Sequence, residues 1–431
     1  MLSAFTQAFR TPDLRAKLLF TLGIMALFRL GSILPAPGVN LANAKQCIAA
    51  AKDQNLLSLV NVFSGGALLQ LSIFALGIMP YITASIILQL LTVVIPHLEN
   101  LKQEGSTGQE TITKYTRWVT IVLAVLQATS FTMLAVSGQL YSSCSQAVVY
   151  DRGIFSIVVM ILTMTAGTSL IMWLGELITA RGVGNGMSIL IFTGICANFP
   201  GMLYGVVKSD GGWVRAVIVV TVFLAITAVV VFVEQCQRRV PVQYAKRVIG
   251  RRTIGGSTTY LPIKINMANV IPVIFASSIL ALPQMISSFG SQNSGWVQFI
   301  NRHFLDHQSW SYFTFYALLI FGFTFFYVAI TFDTDEVADN MKRYGGFIPG
   351  IRAGEPTVRY LSYVINRITT AGSIYLVVLA LIPTLAVIWL DLAHHLPFGG
   401  TTILIMVGVG LQTVKEVNSQ LQQRHYEGFL S

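Results

Sequence analysis

The chain has 431 residues, 54% of them hydrophobic and only 11% charged, with a formal net charge of +10. A soluble domain carries about 25% charged residues, so this composition excludes an ordinary water-soluble protein and defines an integral membrane protein. In a soluble chain the positive balance would suggest nucleic acid; here the question is which side of a membrane holds it.

At the N-terminus Arg10, Arg15 and Lys17 precede an apolar stretch with no small-residue cleavage site after it, so no cleavable signal peptide is expected. Apolar windows then predict ten spans, at 18–34, 73–94, 118–136, 154–174, 187–207, 213–233, 270–286, 312–332, 374–390 and 401–413. Each approaches the roughly 20 residues needed to cross hydrocarbon, the last being the shortest. The second span belongs to a longer charge-free run, 54–97, with breakable points at Gly65-Gly66 and at Gly77-Ile78-Met79-Pro80. That run has room for a span and a separate short helix. Non-helical backbone at membrane depth survives only against protein or a water-filled cavity. The expectation is a cavity with a half-helix at about 61–72 seated in it.

With the N-terminus inside, 21 of the 28 Lys and Arg residues fall in inside segments and six outside, while Arg29 lies within the first span. This bias fixes the orientation by the positive-inside rule, and an even span count puts both termini in the cytoplasm. Two inside loops are long, 234–269 and 333–370. In the first, Val240, Val242 and Tyr244 alternate with Pro241, Gln243 and Ala245, and Tyr260, Pro262 and Lys264 with Leu261, Ile263 and Ile265. With Gly250-Arg251-Arg252 and Gly255-Gly256 between, this predicts a β-hairpin with a basic tip. Its seven basic residues exceed what topology needs, which favours a docking surface.

Chemistry-bearing patterns are sparse. Cys47, Cys144, Cys196 and Cys236 have no CxxC spacing, which argues against metal or redox chemistry. Cys47 and Cys144 both fall outside, and two readings stay open for them: a disulfide, or ordinary small residues. His303 and His307 have i, i+4 spacing without the glutamate of HExxH. Gly182-Val183-Gly184-Asn185-Gly186 follows a membrane span rather than a nucleotide-binding strand. Glu176, Glu234, Asp333 and Asp391 all sit at span ends, whereas an ion-coupled transporter places ionisable groups near mid-membrane. Arg29 alone is buried by sequence, either snorkelling or pairing with a loop carboxylate. A pathway without a binding charge suits apolar constrictions that exclude water. No cofactor and no catalytic group are expected.

Ordered motifs along nearly the whole chain resemble the SecY family of protein-translocation channels. They are Phe28-Arg29-Leu30-Gly31-Ser32 with Pro35-Ala36-Pro37-Gly38; Phe63-Ser64-Gly65-Gly66-Ala67; Ile73 through Ile82; Met172-Trp173-Leu174-Gly175-Glu176 with Arg181 through Gly186; Asn266-Met267-Ala268 to Pro272; Ala338-Asp339-Asn340; Phe347 through Arg352; and Phe398-Gly399-Gly400-Thr401. The resemblance implies an all-α polytopic fold of ten transmembrane helices in two pseudo-symmetric five-helix halves, 1–208 and 209–431, around an hourglass pore. The repeat itself is not visible in the sequence. It further implies that the half-helix, with Phe63, Ser64, Gly65 and Gly66, is a plug. The matching pore-ring positions are Ile78, Ile82, Met187, Ile191, Ile274 and Ile405, methionine standing where isoleucine is commoner. Thr92, Gln127 and Asn266 resemble the polar cluster of a lateral gate, where interhelical hydrogen bonds are worth about 0.6 kcal/mol each. Arg251, Arg252 and Arg352 resemble docking residues for the ATPase SecA or the ribosome. The segment 105–111 departs from the family's more basic form.

The expected function is a passive pore in the cell membrane. It conducts unfolded secretory chains, binds their signal peptides, and releases hydrophobic segments into the lipid. The implied partners are the small subunits SecE and SecG, SecA and the ribosome. The alternatives are a secondary transporter of a small solute and, behind it, a membrane-embedded enzyme.

Overall fold

The computed structural model describes residues 9–50, 64–138, 148–150, 153–208, 212–244, 247–249, 252–254, 258–288, 294–300, 302–303, 309–389 and 400–427. Its first half contains helices α1 (Pro12–Ile33), α2 (Leu41–Ala50), α3 (Met79–Val94), α4 (Pro96–Gln103), α5 (Ser106–Val136), α6 (Ile154–Arg181) and α7 (Gly186–Lys208). The second contains α8 (Gly212–Gln235), α9 (Ile271–Ser288), α10 (Gly295–Ile300), α11 (Trp310–Thr331), α12 (Thr334–Arg343), α13 (Glu355–Trp389) and α14 (Gly400–Glu427). Each predicted span overlaps a helix of its own. Among the described residues, five helices are long and apolar enough to cross a membrane by length and composition, or six if the pair α3 and α4 counts as one.

Helix ends follow local chemistry. Pro12 opens α1 and Asp13 occupies its first turn, where a missing N–H and a negative charge are both favourable. Pro96 forces the preceding residue away from helical geometry, and α3 and α4 meet there at 99°. Asp333 caps α12 by accepting from the N–H groups of Asp335 and Glu336. Several helices run past the predicted spans. The polar ends of α5 and α13 carry the i, i+4 pairs Glu110–Lys114, 3.6 Å, and Glu355–Arg359, 2.6 Å. Such pairs prolong a helix into water, where a hydropathy window no longer registers it.

Within the spans, hydroxyls close on their own helices. Ser32 donates to the Phe28 carbonyl, Thr120 to Thr116, Thr168 to Met164, Thr193 to Ile189 and Thr324 to Ile320. Polar groups in an apolar medium must be satisfied internally, which is how these spans tolerate serine and threonine. Large apolar side chains point outward: Phe155 is 83% and Trp310 86% exposed. That surface suits hydrocarbon, with tryptophan at a helix end as in the interfacial aromatic belt.

The predicted hairpin is present. β1 (Gln237–Tyr244) pairs antiparallel with β4 (Thr258–Lys264), Val240 opposite Leu261. β5 (Gly346–Phe347) adds to the other edge of β1. Farther out, β2 (Arg247–Ile249) pairs with β3 (Arg252–Ile254). Val240 and Ile263 face one side and pack on Ile348, Leu361, Val364 and Ile368. The all-α fold thus carries a small sheet seated on the polar end of α13.

One expectation needs correction. No α-helix covers 64–78; the chain there is a succession of turns, and α3 begins only at Met79. Gly65, Gly66 and Gly77 have φ of 71°, 86° and 56°, and Leu71 has φ of 46°. Left-handed residues repeated at this spacing interrupt any right-handed helix. Phe63 and the rest of 61–63 lie outside the described residues. Cys47 is disulfide-bonded and fully buried, while Cys196 and Cys236 are free. Cys144 lies outside the described residues, as do His307 and Asp391.

Candidate functional site

Segment 64–78 is anchored at its middle, over 71–73, to the chain that follows α1. The Ala36 N–H donates to the Leu71 carbonyl and the Ile73 N–H to the Leu34 carbonyl, each at 2.9 Å. Pro35 and Ser72 form a β-bridge between them. Inside the segment the Leu68 N–H donates to Ser64 Oγ at 3.1 Å. Ser64, Ala67, Leu68, Leu71 and Ser72 have no exposed surface. The following residues lie against close-packed helices. A Cβ at Gly167 of α6 would overlap the Ile73 carbonyl, so only glycine permits this approach. Phe74 stacks on Phe28 of α1 with ring centroids 6.0 Å apart.

Arg29 resolves differently from either sequence reading. Its Nη1 donates to the Gly65 carbonyl at 2.7 Å, bridging 36 positions of sequence. Among the described residues no carboxylate pairs with it.

All six residues expected in the ring fall in one apolar cluster. Ile78, Ile191 and Ile405 are buried in it, and Ile82, Met187 and Ile274 pack against it partly buried. Ile78 lies just before α3, and α3, α7, α9 and α14 supply the others, so both halves of the chain contribute. The cluster also includes Leu190, Ile195, Val273 and Leu404, and burial alone does not separate the six from these neighbours.

The gate residues are less united. α9 packs broadly on α11 but touches α3 and α5 only narrowly. Thr92 is buried and donates to the Gln89 carbonyl of its own helix at 2.7 Å. Gln127 is half-buried on α5. Asn266 donates from Nδ2 to Glu234 Oε1 at 2.6 Å and to the Asn269 carbonyl at 3.1 Å. No hydrogen bond joins the three. Sequence reasoning also missed a contact across the halves: Lys102 Nζ at the end of α4 donates to the Ile330 carbonyl, 3.2 Å away in the last turn of α11. A cation at a helix C-terminus is favourable, but the pair is exposed and contributes little.

Arg352 lies exposed on the loop between β5 and α13. The loop is fixed by the Thr357 hydroxyl donating to the Arg352 carbonyl at 2.9 Å, which leaves the guanidinium facing outward. Arg252 opens β3, and Arg251 lies outside the described residues. Other cations nearby are committed: Arg359 pairs with Glu355, and Arg367 sits 5.4 Å over the Tyr363 ring.

This architecture has close counterparts among solved structures. One described as "The structure of a protein conducting channel" matches with a TM-score of 0.66 at 17% identity, covering 94% of this chain and 91% of the other. Another, "Sec61 in the Canine ribosome-channel complex from the endoplasmic reticulum", matches with a TM-score of 0.63 at 16% identity and the same coverage. The fold is that of these helical channel proteins. The SecY family model matches residues 72–414. The "Protein translocase subunit SecY" of Streptomyces scabiei is 58% identical over the full length of both chains. That of Mycobacterium bovis is 54% identical, again over both full lengths. The chain belongs to the SecY family.

Proposed function

We propose that this chain is the pore-forming subunit through which unfolded secretory polypeptides cross the cell membrane and from which hydrophobic segments leave sideways into lipid. The observation that carries this is the apolar cluster in which Ile78 and residues of α3, α7, α9 and α14 meet, with a turn-built segment leading into it that is held by main-chain bonds to Leu34 and Ala36, in a chain of the SecY family. Bulky apolar side chains offer ions and water no substitute for hydration, and they close around a passing chain without recognising its sequence.

In this reading all ten long helices span the membrane, both termini are cytoplasmic, and the halves 1–208 and 209–431 flank the passage. Segment 64–72 is the plug; Ile78, Ile82, Met187, Ile191, Ile274 and Ile405 form the constriction. Thr92, Gln127 and Asn266 border the lateral exit, where the narrow contact of α9 with α3 and α5 favours parting. The hairpin and Arg352 dock the motor, SecA or the ribosome, arginine suiting both carboxylates and phosphates. SecE-like and SecG-like small subunits complete the complex, and the pore performs no covalent chemistry.

The test is reconstitution of the chain with its small subunits in proteoliposomes. ATP-dependent, SecA-driven protection of an unfolded precursor from protease is expected. Ion-coupled uptake of a small solute with no precursor protection would overturn the reading in favour of a transporter.

A further inference from the structure

Arg29 is a charged side chain four residues from the end of an apolar span helix, and such a residue is a functional candidate by default. It is half-buried, and among the described residues its one hydrogen bond goes to a main-chain carbonyl of the segment proposed above as the plug. The Gly65 carbonyl is available because the turn at Gly65-Gly66, with φ of 71° and 86°, takes the backbone out of any helix that would have used it. On the other side the turn meets α7: a Cβ on Gly65 would stand 3.0 Å from Gly194 Cα, and one on Gly66 3.0 Å from Asn198 Oδ1. The turn is therefore held between a guanidinium on α1 and a close-fitting face of α7.

We propose that Arg29 is a positioning residue that latches the plug in its closed place. A charge-assisted bond to a carbonyl is stronger than a neutral one, yet it breaks without leaving a partner anion stranded. Withdrawal of the plug frees the guanidinium, and the main-chain carbonyls of an entering polypeptide are the chemistry that satisfies it. The latch is thus strong when the pore is idle and exchangeable when a chain arrives. This inference rests on the plug reading of 64–72.

The test uses the whole complex in proteoliposomes, with Arg29→Gln, Arg29→Lys and, as reference, the double variant Ile82→Ser/Ile191→Ser. Resting ion leak and export of a precursor with a defective signal sequence are measured beside export of a normal precursor. Arg29→Gln is expected to raise leak and defective-precursor export several-fold while normal export persists, with Arg29→Lys between it and the unaltered chain. If Arg29→Gln is as tight and as stringent as the unaltered chain while the double variant leaks, the latch is overturned and the channel reading stands. If neither leaks, the latch is overturned and the seal lies elsewhere than Ile82 and Ile191. Should Arg29→Gln not assemble, hydrogen exchange over 64–72 decides. Faster exchange in Arg29→Lys than in the unaltered complex supports the latch, and equal exchange overturns it.

Discussion

Ile191 is 4% exposed and Ile405 fully buried, and in the sequence neither differs from dozens of other apolar residues in helices. Their significance comes from convergence: residues drawn from 78 to 405 meet in one cluster. Replacing Ile82 and Ile191 together by serine puts hydroxyls where hydration is withheld. Resting ion conductance across a planar bilayer is expected to rise several-fold; an unchanged conductance would place the seal elsewhere. Arg352 presents the opposite case, an exposed cation with no ion-pair partner among the described residues, on a loop fixed by Thr357. Arg352→Glu is expected to leave the complex assembled and to cut SecA-driven export about tenfold or more, since like charges brought together at an interface cost several kcal/mol. Export at the unaltered rate would remove the docking role. Arg29 was legible as unusual, being a lone charge in an apolar span. Its partner was not legible, because the acceptor is a backbone carbonyl 36 residues away, and a carbonyl carries no sequence signature.

Among the elements, span positions were readable because hydropathy reports the solvent each helix meets. Their polar extensions were not, since the first turns of α5 and the start of α13 are written in i, i+4 charge pairs rather than apolar residues. The hairpin was readable from period-two alternation, and its inward face holds Val240 and Ile263. Ile263→Ala removes a fully enclosed side chain and is expected to cost the hairpin base about 2–4 kcal/mol. Limited proteolysis in the 234–269 loop should then be faster, with the membrane core unaffected; equal rates would mean the base is not held by this packing. The half-helix expected at about 61–72 gives way to turns over 64–72, its described part. The glycines that marked the break also set its conformation, and reading them as punctuation between two helices understated how far left-handed backbone extends.

At the scale of the molecule, the two pseudo-symmetric halves that the resemblance implies leave no readable trace in the sequence, because lipid-facing and partner-facing residues are equally apolar. What the structure adds is a contrast in packing: α9 packs broadly on α11 of its own half and only narrowly on α3 and α5 of the other. A gate needs such a seam, with contacts enough to close and few enough to part. The central claim is that a polypeptide in transit passes through the apolar waist from which the 64–72 segment withdraws. A photo-crosslinking residue placed in turn at Ile82, Ile191 and Ile405, with a translocating chain stalled by a folded C-terminal domain, tests this most directly. Crosslinks to the stalled chain from all three positions are predicted, together with none in the idle complex. A stalled chain that crosslinks only to the outward, lipid-exposed faces of the helices would contradict the account.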